Sequence, residues 1–268
     1  MARPPTSARR RQAFALVAFG IATATGGAWP RAEARAEARA AEDPSAKPWC
    51  GPDVTELSDH VCFVDAAPEE GRRTLLLYLH GSLALTPGFQ YVQQKGMARQ
   101  VRDRRMALLM PTAPRTESGY WWPSGAALRA QEASIVEGFQ RAKAALEARS
   151  GRPFDEVVVV GFSSGAYFAS ALALRGALDV DGYIILAGGS SWARPAGPET
   201  RRVPVFVGVS AEDGQTRDHS RAFAGTLAAL RWPYRVDERP VGHLVDPVFL
   251  SRGLAWLHGR RGNAPHPP

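Results

Sequence analysis

From residue 74 onward, short apolar runs alternate with longer segments of helical spacing. Thr74–Leu79, Met106–Met110, Val157–Val160, Tyr183–Leu186 and Val203–Val209 are nearly continuous apolar runs. Runs this short, closed by turns or by Pro111, are the pattern of strands buried on both faces. Residues 89–103, Leu128–Ala148, Ser164–Leu174 and Arg217–Leu230 read as the intervening helices. Tyr234–Glu238 predicts a sixth strand and Val248–Leu257 a closing helix. Upstream, 42–58 is rich in proline and polar residues and reads as an extended entry segment, followed by an outer strand over His60–Asp65. The alternation predicts the α/β class, with a mostly parallel central sheet and helices on both faces. In such sheets ligands bind beyond the carboxyl ends of the strands. Chemically capable residues are therefore sought just after each run.

The first 41 residues differ from the rest. Arg9–Arg11 form a basic head, Ala13–Ala28 carry no charge, and small-x-small sites follow at Ala32-Glu33-Ala34 and Ala38-Arg39-Ala40. This is the make-up of a secretory leader, with an N-terminal membrane anchor as the alternative. The apolar middle is short against the roughly 20 residues a span requires. Phe14 sits one position late for a good twin-arginine signal, and no cysteine follows the apolar stretch to take a lipid. The domain expectation is thus a leader over 1–41, one folded domain over 42–262 and a proline-rich tail over 263–268. The mature chain is expected outside the cytoplasm, periplasmic or extracellular, with no stable membrane span.

Export changes how the net charge of +7 is read, since 1–41 hold seven arginines against two glutamates. Only a small positive balance remains beyond the leader. No run of Lys or Arg there suggests a nucleic-acid partner. Cys50 and Cys62 are the only cysteines, and in an oxidising compartment such a pair is expected to form a disulfide. Two free thiols, or half of a metal site with His60, are the alternatives, and no metal is expected.

The third core run leads into Gly161-Phe162-Ser163-Ser164-Gly165. This is G-x-S-x-G between a strand and a helix, the setting of a nucleophile elbow. Small flanking residues permit the tight turn, and the following helix places amides near developing negative charge. The alternative is a Gly/Ser turn serving only close packing. A serine hydroxyl needs a base, and the base an orienting acid. Of six histidines, His243 alone lies just after the last predicted strand, in Val241-Gly242-His243-Leu244. Val203–Val209 is followed by Ser210-Ala211-Glu212-Asp213-Gly214, making Asp213 the candidate acid, with Glu212 and Asp218 as competitors. The order Ser163, Asp213, His243 is that of nucleophile, acid and histidine in hydrolases of this build. Oxyanion donors are expected at the amides of Ser164 and of Ser82, with Leu83 the second choice for the latter.

Together these residues resemble the α/β-hydrolase superfamily over nearly all of 74–257. His80-Gly81 matches its oxyanion turn, Gly161–Gly165 its elbow, and Asp213 and His243 its acid and histidine. The resemblance implies the α/β-hydrolase fold and cleavage of carboxylic esters or amides through an acyl-serine, without a cofactor. The layout is also similar to small carboxylesterases of the polyhydroxybutyrate-depolymerase and feruloyl-esterase type, and to phospholipase/carboxylesterase relatives. Gly188 to Arg202 spans only fifteen residues, so a small or absent lid is expected over an open cleft that admits small-molecule or polymeric esters. Trp121, Trp122 and Trp192 could form an aromatic wall there, or else pack in the core or on the surface. A serine peptidase or amidase on the same fold is one rival reading. A non-catalytic exported binding protein is another.

Overall fold

A computed structural model describes residues 48–262 apart from 59 and 87. The expected leader, the proline-rich tail and His266 lie outside the described residues. Eight strands form one sheet: β1 (Thr55–Ser58), β2 (Val61–Asp65), β3 (Thr74–Leu79), β4 (Ala107–Pro111), β5 (Glu156–Phe162), β6 (Gly182–Leu186), β7 (Val205–Ser210) and β8 (Tyr234–Arg239). Their order is β1-β2-β4-β3-β5-β6-β7-β8. The β1–β2 and β2–β4 pairs are antiparallel and every other pair is parallel. The helices are α1 (Tyr91–Arg104), α2 (Gly125–Ser150), α3 (Ser164–Arg175), α4 (Arg217–Ala229) and α5 (Pro247–Gly262).

The period of two along each central strand sorts its side chains between two cores. Leu75, Leu77, Val157 and Val159 face one cluster, which α2, α3 and α4 fill with Phe139, Phe168 and Phe223. Leu76, Tyr78, Val158 and Val160 face the other, which α1 and α5 fill with Met97, Val101, Phe249 and Leu254. A strand buried on both sides has no polar face to show, hence the unbroken apolar runs. Burying each such side chain contributes about 1.5–3 kcal/mol, enough to fix which side of the sheet each helix covers.

Within the entry segment, read from sequence only as extended, Thr55–Ser58 forms β1 against β2. Its residues are mostly exposed, so no run of buried positions announces it. Pairing with β2, not burial, makes it a strand. Cys50 and Cys62 are joined by a disulfide with Cα atoms 5.6 Å apart, which ties the entry segment to β2. At the far side β8 ends the sheet, and Tyr234 and Val236 are exposed. Ion pairs link it to the helices behind it, Arg221 to Glu238 and Arg252 to Asp237. Between β6 and β7, residues 187–204 contain no helix and no strand. No helix among the described residues is long and apolar enough to cross a membrane.

Candidate active site

Because β3, β5, β7 and β8 run parallel, the segments that follow them gather at one edge of the sheet. Ser163 follows β5 directly, with φ 52° and ψ −118°. A non-glycine residue held there costs on the order of 1–3 kcal/mol and persists only when its surroundings enforce it. They do: the Ser163 amide donates to Leu186 O at 3.0 Å, and the Ser163 carbonyl accepts from the amides of Ala166 and Tyr167. A Cβ on Gly165 would stand 2.0 Å from the carbonyl oxygen of Leu79. Only glycine lets helix α3 start this close to the neighbouring strand.

His243 lies in the loop after β8, its ring 4.9 Å from that of Phe162. Its Nε2 is 3.0 Å from Ser163 Oγ, and its Nδ1 is 2.6 Å from Asp213 Oδ2. The structure therefore brings together three residues from distant parts of the chain. Asp213 is buried, and the amides of Gln215 and Thr216 donate to its Oδ1 at 3.0 and 3.3 Å. The Thr216 hydroxyl donates to Oδ2. Burial alone would raise the carboxyl. The bonds from Thr216, His243 and Gln215 outweigh it and hold Asp213 below the usual aspartate range. An ionised acid is therefore maintained beside the imidazole. The competitors stand elsewhere: Glu212 is exposed, and Asp218 pairs with Arg217 and Arg221.

The turn after β3 is fixed from several directions. The carbonyl of His80 accepts from Gly165 N at 3.1 Å and from the Trp122 indole at 2.9 Å. Gly81 N donates to Gln93 Oε1 at 3.1 Å, and that oxygen also accepts from the Tyr78 hydroxyl at 2.7 Å. Leu83 exchanges both backbone hydrogen bonds with Tyr120, so its amide is already used. The amides of Ser82 and Ser164 have no protein acceptor among the described residues, and both residues line the cleft beside Ser163.

The cleft has a volume of about 490 Å³. Trp121 and Trp192, each about half exposed, form parts of its wall, and Tyr167 another. Trp122 also lines it, but is buried, stacks on Phe168 at 5.3 Å and spends its indole N–H on His80. It serves the turn's geometry as much as the cleft.

Sequence reasoning missed three contributors: Gln93 behind the turn, Thr216 behind the acid, and the Tyr167 hydroxyl bonded to His219 Nδ1. Only Thr216 left a signal, three residues after Asp213 where a helix begins, the spacing of a local side-chain turn. Two further histidines, His60 and His258, have partners of their own. His60 stacks on Trp49, and His258 bonds Glu156 at 3.0 Å near the amino end of β5.

No family model matches the chain, and no curated protein matches it. Solved structures do. A carboxylesterase from Mesorhizobium loti has a TM-score of 0.56 at 18% identity, covering 74% of this chain and 94% of that one. Esterase PE8 has a TM-score of 0.51 at 19% identity, covering 74% and 96%. The fold is that of the α/β-hydrolases. An uncharacterized protein from Bacillus cereus ATCC 10987 has a TM-score of 0.51 at 16% identity, and this chain spans 61% of its length. Identities this low bear on the α/β-hydrolase fold and not on a substrate.

Proposed function

We propose that the protein is an exported serine hydrolase that cleaves carboxylic esters through an acyl-serine. One observation carries the reading: the hydrogen-bonded line from Ser163 Oγ through the His243 ring to Asp213. With Nδ1 protonated toward the carboxylate, Nε2 has a free lone pair for the serine proton. As Ser163 Oγ attacks the ester carbonyl, His243 takes that proton, and Asp213 stabilises the cation formed. The amides of Ser82 and Ser164 receive the oxyanion. The tetrahedral intermediate collapses, and the alkoxide leaves with the proton from His243. Water then attacks the acyl-enzyme, giving its proton to His243, and the acid departs as Ser163 regains its hydrogen. Structural neighbours named as esterases fit an ester substrate, an amide would use the same three residues, and the test below separates the two.

The same proposal holds the leader over 1–41 to be removed and 42–262 to act as the hydrolase domain. The Cys50–Cys62 bond supports export, since disulfides persist in oxidising compartments. The test is fluorophosphonate labelling together with turnover of p-nitrophenyl esters, on the native chain and on Ser163→Ala. The native protein should label at Ser163 and hydrolyse short esters, and the variant should do neither. Equal turnover by both would end the proposal, as would peptide anilides cleaved in preference to esters.

A further inference from the structure

We infer that the cleft receives the acyl half of the substrate, and that this half is bulky and uncharged, with at least one hydrogen-bonding substituent. The inference rests on the hydrolase reading of Ser163 and goes beyond it in assigning which side of the ester is read.

The assignment follows from where the proton must go. His243 has to protonate the departing alcohol, so the alcohol side of the scissile bond lies against Nε2. His243 is not part of the cleft wall. Its ring packs on Phe162, and its neighbour Leu244 is half exposed. The alcohol therefore leaves on the side of the His243 loop, away from the lined cleft. Ser82, Ser163 and Ser164 line the cleft, so the carbonyl seat belongs to it. The substituent on the other side of the carbonyl carbon has the cleft to enter.

The wall describes that substituent. About 150 Å³ suffices for benzene, whereas this cleft offers about 490 Å³. An acetyl group would leave most of it unfilled. The exposed indoles of Trp121 and Trp192 suit a flat or branched apolar body. Among the described residues none that lines the cleft carries a charge, so a carboxylate on the acyl group would lose water without gaining a counter-ion. Hydrogen-bonding capacity is nonetheless present. Tyr167 lines the cleft with its hydroxyl held by His219, and Ser124 begins α2 without a side-chain capping bond. A phenol bonded to an imidazole can offer either a proton or a lone pair, depending on which partner donates.

The experiment compares two ester series. One keeps p-nitrophenol and varies the acid: acetyl, benzoyl, hydroxybenzoyl and succinyl. The other keeps the acetyl group and varies the bulk of alcohols of matched acidity. The expected kcat/KM rises about 30-fold from acetyl to benzoyl, falls for succinyl, and changes less than about 3-fold across the alcohols. Trp192→Ala should cut the benzoyl-to-acetyl ratio about 10-fold, and Trp192→Phe should restore most of it. Tyr167→Phe should lower the hydroxybenzoyl-to-benzoyl ratio. Steeper selectivity for the alcohol than for the acid, or a ratio that Trp192→Ala leaves unmoved, would overturn the inference while hydrolysis stands. Turnover that survives Ser163→Ala would instead remove the hydrolase reading beneath it.

Discussion

Two imidazoles lie beside the elbow in the same tautomer, and they differ in almost everything else. His80 donates from Nδ1 to Gly81 O at 2.6 Å, and its Nε2 accepts from Ala113 N at 3.0 Å. His243 donates from Nδ1 to Asp213, and its Nε2 accepts from Ser163 Oγ. The donor facing Nε2 decides what each ring can do. A backbone amide does not give up its proton, whereas a hydroxyl attacking a carbonyl does. Burial pushes His80 down to about 4, partly offset by its bond to Gly81, so it stays neutral while holding the turn. His243 is about a third exposed and has a carboxylate behind it. One histidine is part of the frame and the other is the base of the proposed reaction, and neither place can be read from residue type alone.

The comparison breaks first at the working ring. His243→Ala should lower kcat for p-nitrophenyl esters by about 10⁴-fold or more, with the urea midpoint changed little; near-native turnover would remove His243 from the chemistry. At the other ring, His80→Ala should lower unfolding free energy by about 2–4 kcal/mol, through a cavity and an orphaned Ala113 amide. Urea unfolding at pH 7 measures it, and an unchanged midpoint would show that the turn stands without the imidazole. The smallest effect is a slope against pH. Between pH 6.5 and about 4 the unfolded chain protonates His80 and the native one does not, so stability falls as pH drops through this window. The loss is at most about 3 kcal/mol. Comparing urea midpoints at pH 7 and 4.5 should show a shallower fall in His80→Gln than in the native protein; equal falls would place the acid sensitivity elsewhere.

The central strands were legible because burial on both faces writes an unbroken apolar run, as in Val157–Val160. The elbow was legible because tight backbone contact at Gly165 excludes other residues. β1 was not, since its exposed residues gain their order from a partner strand. Gln93 was not either, because one amide in the first turn of a helix looks like any other glutamine until the turn after β3 is set against it. Trp121, Trp122 and Trp192 shared one reading in sequence, and the structure separates them. Two have half-exposed indoles at the cleft, and the third is buried with its N–H already committed. Side-chain type and local spacing reach as far as one element, and what faces that element from elsewhere in the chain decides the rest.

The open border at β8 has a consequence for handling the protein at high concentration. Among the described residues β8 has no strand beyond it, and its edge with outward-facing Tyr234 and Val236 is a template on which a second molecule could extend the ladder. Arg235, Asp237, Glu238 and Arg239 interrupt that border, and stacking a copy against them would strip water from charges, three of which already have partners within their own fold. Replacing Arg235, Asp237 and Glu238 with threonine or valine, while keeping Arg239 and its ion pair with Asp246 beside the His243 loop, would favour turbidity and fibre-like assembly relative to the native protein.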